Sequence, residues 1–338
     1  MTTDTFGRSI DYLRISVTDR CNLRCVYCMG EDGVENKLGH GEILSYDEIL
    51  RFVRHATAYG IRRIRLTGGE PLVRLGVPDL VAALRAIPEI EDISLTTNGI
   101  LLPKYAGALK ASGLDRVNIS LDTLDASAYH ELTRLGKLDD VFAAIDSALE
   151  HHFDPVKINM VVMRSYHQDL FEFARLSVDR PLHIRFIEYM PVGTSSGYEN
   201  RGWQDDEVIP STEVIERIST AGERAGLGPL ISLGDDDGFA PVGGGPARYW
   251  RFGGAQGTIG VISPLSNHFC GRCNRLRLTA EGKLRPCLFS DDELDARAAL
   301  RSADPRAVDA VIEQALANKP KEHGSVRGTR RAMSQIGG

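Results

Sequence analysis

The sequence lacks the features that would direct it out of the cytoplasm or onto a polyanion. Its first residues show no charged segment followed by an apolar one, and no apolar run reaches the length of a transmembrane helix. A formal net charge of -6 provides no basic excess for a general nucleic-acid binder, because phosphate backbones select basic surfaces. We therefore expect a cytoplasmic protein that binds neither a membrane nor nucleic acid.

Cysteine is also scarce, with six residues in 338, and all six fall into two sets of three. The spacings are C-x3-C-x2-C for Cys21, Cys25 and Cys28, and C-x2-C-x13-C for Cys270, Cys273 and Cys287. In a reducing compartment, clustered cysteines favour metal ligation over disulfides. A [4Fe–4S] cube normally takes four cysteines, so each triplet predicts a cube with one open iron that can bind a small molecule. Zinc is the alternative, but it usually requires a fourth Cys or His, and no His lies inside the first motif.

Short β-type runs alternate with helical stretches along the first part of the chain. The runs span residues 12–16, 63–67, 93–97, 117–121, 156–162 and 184–189. This alternation predicts parallel β/α units, and six units suit an incomplete TIM-type barrel better than a closed one. We expect a barrel core over residues 1–230 and a C-terminal domain over residues 231–338. That domain carries the second triplet and a late helix that begins at Asp304 and Pro305.

The sequence Gly68-Gly69-Glu70 directly follows the second β-type run. Paired glycines let a ligand approach the backbone closely, and Glu70 offers a carboxylate to an ammonium group. Taken alone, the motif is typical of an ordinary turn between a strand and a helix. Its position after the cysteine triplet favours a ligand site.

Together, the segment 21–28 and Gly68-Gly69-Glu70 resemble the radical S-adenosylmethionine (SAM) superfamily. The resemblance implies that the open iron of the first cluster binds the amino and carboxylate groups of SAM. Reductive cleavage of SAM would then give a 5′-deoxyadenosyl radical that takes hydrogen from the substrate. It also implies that Tyr27 lies beside the adenine, that Gly69 lies at the methionine amine, and that Ser120 and Met190 line the same site.

Within that superfamily, segments 186–193, 245–249 and 270–277 and the terminal Gly337-Gly338 resemble the GTP cyclases that begin molybdenum cofactor biosynthesis. The resemblance covers essentially the whole chain. It implies cyclisation of GTP to 3′,8-cyclo-7,8-dihydroguanosine 5′-triphosphate, with the guanine base held at the second cluster. It further implies a flavodoxin- or ferredoxin-type electron donor, a downstream cyclic pyranopterin monophosphate synthase and a possible homodimer.

Basic residues in the β-type runs suit a triphosphate independently of that resemblance. Arg14, Arg65 and Lys157 lie within runs, whereas Arg275 and Arg277 alternate and so face one side of an extended segment. Arg forks match phosphate oxygens, although an isolated arginine is more often a surface ion pair. By resemblance, the GTP contacts are Arg14, Arg65, Thr96, Lys157, Arg275, Leu276 and Arg277, and Arg14, Gly337 and Gly338 are catalytic. We also expect arginines of the basic tail to reach the site.

Two other functions remain open at this stage. One is a radical SAM enzyme that matures a peptide and uses the second triplet for an auxiliary cluster. Such proteins usually carry more C-terminal cysteines than this chain has. The other is a non-enzymatic iron–sulfur sensor or electron carrier, which has no need of Gly68-Gly69-Glu70 or of cations within strands.

Overall fold

A computed structural model describes residues 3–34, 37–193, 205–234, 238–323 and 329–337. The predicted loop at 194–202 lies outside these ranges. Twelve strands form one sheet in the order β12-β11-β10-β1-β2-β3-β4-β5-β6-β9-β8-β7. The strands are β1 Tyr12–Ser16, β2 Arg63–Thr67, β3 Asp92–Thr97, β4 Arg116–Ser120, β5 Val156–Val162, β6 Leu182–Glu188, β7 Ile231–Ser232, β8 Arg248–Arg251, β9 Thr258–Ile262, β10 Arg275–Leu278, β11 Lys283–Arg285 and β12 Leu294–Asp295.

Strands β1 to β6 are neighbours in chain order and pair in parallel, as the six β-type runs predict. The predicted and observed bounds agree to within two residues. The structure adds a parallel strand on each side, because β10 pairs with β1 and β9 pairs with β6. The α/β fold class is confirmed, and the C-terminal part of the chain continues the sheet of the core.

Helices connect the parallel strands and continue through the C-terminal part. They are α1 Tyr46–Ala58, α2 Val77–Arg85, α3 Leu102–Ala111, α4 Ala126–Thr133, α5 Leu138–Glu150, α6 Leu170–Asp179, α7 Ser211–Arg224, α8 Ala296–Arg301, α9 Ala307–Ala317 and α10 Met333–Ile336. No helix among the described residues is both long and apolar enough to cross a membrane.

The start of the late helix differs from the prediction. Helix α9 begins at Ala307 rather than at Asp304 and Pro305, and Arg306 is its N-cap residue. The Asp304 carboxylate accepts from the backbone N–H of Arg306 at 2.9 Å, so it stabilises a turn before the helix instead of capping the helix. Aspartate is equally suited to either role, since both use its carboxylate to accept a nearby backbone N–H.

Helices cover one face of the parallel strands, and alternation of side chains decides which residues point to the other face. In β1, Leu13 and Ile15 belong to the hydrophobic core between the sheet and the helices. Tyr12 and Arg14 point to the opposite face, where they line an internal cavity. The site is therefore built on the face of the sheet that the helices leave uncovered.

Candidate active site

The two cysteine triplets border the same cavity. None of the six cysteines is in a disulfide, and all six are partly exposed towards the cavity. Cys21, Cys25 and Cys28 lie on the loop after β1, whereas Cys270 and Cys273 precede β10 and Cys287 follows β11. Because β10 pairs with β1, the fold brings together residues about 250 positions apart in sequence. Among the described residues, no group of three His, Cys, Asp or Glu side chains is arranged to hold a single metal ion.

Gly69 fixes the loop that carries the first triplet. Its backbone N–H donates to the carbonyl of Thr18 at 2.8 Å. A Cβ atom at this position would lie 2.4 Å from the carbonyl oxygen of Arg20, so only glycine allows the two loops to approach so closely. The close approach leaves the first triplet and Gly69 side by side at the cavity wall.

The thiols of the first triplet lie in surroundings that favour their neutral form. Burial raises the pKa of Cys21 to about 11, and burial together with the neighbouring Cys21 raises the pKa of Cys28 to about 12. Hydrogen bonds from Ser334, in helix α10, act against the rise at Cys28. Thiols of this kind lose their protons when a metal takes the protons' place, which fits ligands of a resident cluster.

Glu70 makes several hydrogen bonds within the protein. Its side chain is fully buried, and burial raises the pKa of the carboxyl group to about 7. The carboxyl oxygens accept from the Thr97 hydroxyl at 2.8 Å and from the backbone N–H groups of Asn98 and Leu72 at 2.7 and 3.0 Å. The carboxylate that the sequence offers to an ammonium group is thus also held by groups of the protein. Glu70 holds Asn98, whose amide lies 3.8 Å from the sulfur of Cys21.

Tyr27, Ser120 and Met190, the other residues that the resemblance assigns to SAM, line the cavity with the first triplet. The Tyr27 hydroxyl donates to Asp122 at 2.6 Å. Burial raises the pKa of Asp122 to about 6, and the Tyr27 hydrogen bond acts against the rise. Asp122 is the one carboxylate among the described cavity residues.

A set of buried arginines forms the basic part of the cavity. In the strand register, Arg14 lies between Arg65 on β2 and Arg277 on β10. Burial, and after it the charges of Arg277 and Arg65, lowers the pKa of Arg14. Burial and neighbouring Arg275 lower the pKa of Arg277 to about 9. Mutual repulsion of this kind is relieved by a bound polyanion.

Several polar atoms in the same region have no partner among the described residues. They are the Nε atoms of Arg14 and Arg185, the hydroxyl of Thr96 and the side-chain carbonyl of Asn159. Buried polar groups are rarely left without hydrogen bonds, so these atoms indicate a polar ligand. Arg185, on β6, was missed by the sequence analysis, although its position inside a predicted strand is the same signal that identified Arg65.

Two of the predicted GTP contacts are placed differently. Leu276 packs in the hydrophobic core, because it lies between Arg275 and Arg277 on a strand and so points to the opposite face. Its side chain is not a cavity contact. Lys157 is buried and does not border the cavity, since its ammonium group donates to the carbonyl of Val242 at 2.7 Å.

The tail enters the site at Gly337. Its carbonyl accepts from Arg277 at 2.7 Å, and its φ of +73° lies in the left-handed region. Gly338 lies outside the described residues, as does Arg327. Arg330 pairs with Asp291, and Arg331 pairs with Glu281 and Glu293. Neither of these two arginines therefore reaches the cavity, where the sequence led us to expect arginines of the tail.

Comparison with known proteins identifies the family. Residues 15–176 match the Radical SAM superfamily, and residues 182–325 match Molybdenum Cofactor Synthesis C. The chain is 52% identical to the GTP 3′,8-cyclase of Pelotomaculum thermopropionicum and 49% identical to that of Moorella thermoacetica. Each alignment covers 99% of both proteins. The chain belongs to the GTP 3′,8-cyclase family. It is therefore a radical SAM enzyme that uses [4Fe–4S] clusters and SAM.

Solved structures agree with the fold of a GTP 3′,8-cyclase. Streptococcus suis SuiB bound to S-adenosylmethionine superposes with a TM-score of 0.61 at 17% sequence identity. The match covers 95% of this chain and 68% of SuiB. At that identity the likeness shows a shared fold alone.

Proposed function

We propose that this chain catalyses the radical cyclisation of GTP to its 3′,8-cyclo derivative, the first step of molybdenum cofactor biosynthesis, with the residues assigned below. The observation that carries the proposal is the pairing of two cysteine triplets with a set of buried arginines around one cavity. A sensor or electron carrier has no use for the arginines. A peptide maturase usually has further C-terminal cysteines, whereas the six here are divided between the triplets.

The first triplet would hold the cluster that binds SAM, with Gly69, Tyr27, Ser120 and Met190 around the SAM molecule. When bound, that cluster supplies the electron that cleaves SAM and so starts hydrogen abstraction from the ribose of GTP. Gly69 keeps the loop close, and Tyr27 is fixed through Asp122.

Cys270, Cys273 and Cys287 would hold the second cluster beside the guanine base. The triphosphate would lie against Arg14, Arg65, Arg275 and Arg277, together with Arg185 and the Thr96 hydroxyl. Lys157 would join them by exchanging the carbonyl of Val242 for a phosphate oxygen, which is a stronger, charge-assisted acceptor.

Arg14 and the tail glycines would position the ribose for hydrogen abstraction. Arg14 lies between the other strand arginines, and Gly337 is fixed by Arg277. Gly338 is included because it follows Gly337 directly. These residues hold the substrate and exclude water, and none of them needs to change its own protonation state.

The wider assignments belong to the same proposal. Residues 1–230 would form the radical core, because α7 packs on α6 and β6, and residues 231–338 would form the auxiliary-cluster domain. We place the enzyme in the cytoplasm, with a homodimer as its proposed assembly. A flavodoxin- or ferredoxin-type donor would reduce the first cluster, and cyclic pyranopterin monophosphate synthase would consume the product.

The decisive experiment is anaerobic product analysis. Reduced, reconstituted enzyme is incubated with SAM alone, with SAM and GTP, and with SAM and an unrelated peptide. The proposal requires the cyclised nucleotide together with 5′-deoxyadenosine when SAM and GTP are both present, and no cyclised nucleotide without GTP. Turnover of the peptide, or SAM cleavage that leaves GTP unchanged, would contradict it.

A further inference from the structure

Lys319 is a buried lysine beside the second cysteine triplet. Its side chain is 3% exposed, and it lies two residues after the end of α9. The ammonium group is 3.5 Å from the sulfur of Cys273. It also donates to the carbonyls of Arg275 and Pro286, each at 2.8 Å. Pro286 directly precedes Cys287, so one ammonium group contacts both segments that carry the triplet.

The charge of Lys319 is not neutralised by a carboxylate. Its partners are one sulfur and two carbonyl oxygens, and no carboxylate pairs with it in the part of the chain that the structure describes. Burying an unpaired ammonium group is costly unless a negative group faces it. The negative groups that this position offers are thiolates of the triplet. Their negative charge is largest when the cluster that they hold is reduced.

Arg8 provides a useful contrast on the other side of the same loop. Its guanidinium donates to the carbonyls of Cys270 and Pro320, each at 2.7 Å, so it also ties the loop to the segment after α9. However, Arg8 forms an ion pair with Asp4 at 2.6 Å. Its charge is therefore compensated locally, and its role at the loop is to hold the backbone.

We propose that Lys319 is a positioning residue that sets the reduction potential of the second cluster through its hydrogen bond to Cys273. A positive charge beside a cluster ligand stabilises the reduced, more negative form and raises the potential, and hydrogen bonds to the sulfurs act in the same direction. The inference rests on the assignment of the second triplet to a [4Fe–4S] cluster.

The test is a potentiometric titration of the enzyme with both clusters, followed by electron paramagnetic resonance. A variant with Cys21, Cys25 and Cys28 changed to Ala identifies the signal of the second cluster. Lys319→Gln and Lys319→Met remove the charge, and Gln retains a hydrogen-bond donor. Lys319→Arg restores the charge. Lys321→Met is the matched control, because Lys321 is exposed two residues further along the chain.

We expect both neutral variants to lower the potential of the second cluster and to leave that of the first unchanged. Lys319→Arg should return it towards the wild-type value, and Lys321→Met should not alter it. A wild-type potential in Lys319→Gln with full iron content would overturn the proposal, as would an equal shift of both clusters. If neither neutral variant holds the second cluster, Lys319→Arg provides the test. A wild-type potential of the second cluster in Lys319→Arg would support the role of the charge, and loss of the cluster from this variant would refute that role.

Iron content separates failure of the inference from failure of the proposed function. A wild-type enzyme that binds only about four irons, all at the first triplet, would contradict the cluster assignment itself. In contrast, about eight irons with an unchanged potential in the neutral variants would leave the proposed function intact and reject the role of Lys319 alone.

Discussion

The guanidinium of Arg277 donates to the backbone carbonyl of Gly337 at 2.7 Å, across 60 residues of sequence. This contact joins β10, which lies between Cys273 and Cys287, to the end of the tail. Ser334, three residues earlier, forms hydrogen bonds to the sulfur of Cys28 in the first triplet. Residues 334–337 therefore contact the first triplet and the strand that follows Cys273, which gives the tail a place in the site.

The first prediction concerns the separate roles of the two cysteine triplets. Cys25→Ala should remove about half of the iron and all cleavage of SAM, because three thiolates hold one cube. Cys273→Ala should also remove about half of the iron but retain uncoupled SAM cleavage, while product from GTP is lost. Iron analysis and chromatography of 5′-deoxyadenosine measure the two effects. Equal loss of SAM cleavage in both variants, with the first cluster intact in Cys273→Ala, would refute the assignment.

The second prediction concerns Lys157. Lys157→Met should weaken GTP binding by about 1.5–3 kcal/mol, the scale of a charge-assisted hydrogen bond, and should leave the iron content unchanged. Lys110→Met is the matched control, since Lys110 is exposed on α3 and, among the described residues, contacts the carbonyl of His152 and the ring of Phe153. Calorimetric titration measures both affinities. An unchanged affinity in Lys157→Met would make Lys157 a support for the Val242 loop alone.

The third prediction concerns the pH dependence of stability. His183 is buried and lies 2.8 Å from the Thr258 hydroxyl, and burial followed by the charge of Lys157 lowers its pKa to about 3. The folded protein then binds fewer protons than the unfolded chain between pH 3 and 6.5. The contribution of His183 is complete above pH 6.5, and stability should fall by about 1.4 kcal/mol per unit below it.

Anaerobic denaturant unfolding at pH 5.5 and 7.5 tests this prediction. His183→Gln should reduce the difference in unfolding free energy between the two pH values. His40→Gln should retain the full difference, because the side chain of His40 is exposed. The same difference in all three proteins would show that other groups cause the loss of stability at low pH.

The parallel core could be predicted because hydrophobic runs and helical periodicity repeat six times in the order in which the strands pair. The outer parallel strands were missed for a physical reason. Strand β9 is interrupted at its centre by Gly260, and β10 is only four residues long with two arginines, so neither gives a strong local strand signal. Pairing with β6 and β1 stabilises them, and that tertiary contact leaves no signal in the local sequence.

The site residues also fall into two groups, those that the local sequence identifies and those whose roles depend on contacts with distant segments. Cysteine spacing and the arginines within strands could be identified because their chemistry is visible residue by residue. The roles of Glu70 and Lys319 could not, because each depends on backbone groups supplied by distant segments. Leu276 was assigned by resemblance together with its arginine neighbours, whereas strand alternation places its side chain on the other face.

The last prediction concerns the tail glycines. The conservative interpretation is a frayed terminus, since chain ends are commonly disordered. The structure instead buries Gly337, and a Cβ atom there would lie 2.3 Å from the hydroxyl oxygen of Thr67. Gly337→Ala should therefore displace the tail from Arg277, because both the contact and the positive φ exclude a side chain.

Deletion of Gly337 and Gly338 should have the same effect without adding a clash. We expect both variants to fold, to hold both clusters and to bind GTP with little loss, because the cavity arginines remain. Cyclisation of GTP should fall sharply, since the contact that positions the tail beside the substrate is lost. Gln335→Ala is the control, as its side chain is only half-buried in α10 and does not border the cavity. Full-rate turnover of GTP by the truncated enzyme would restore the interpretation of a frayed terminus. A loss of GTP affinity as large as the loss of rate would instead assign the glycines to substrate binding.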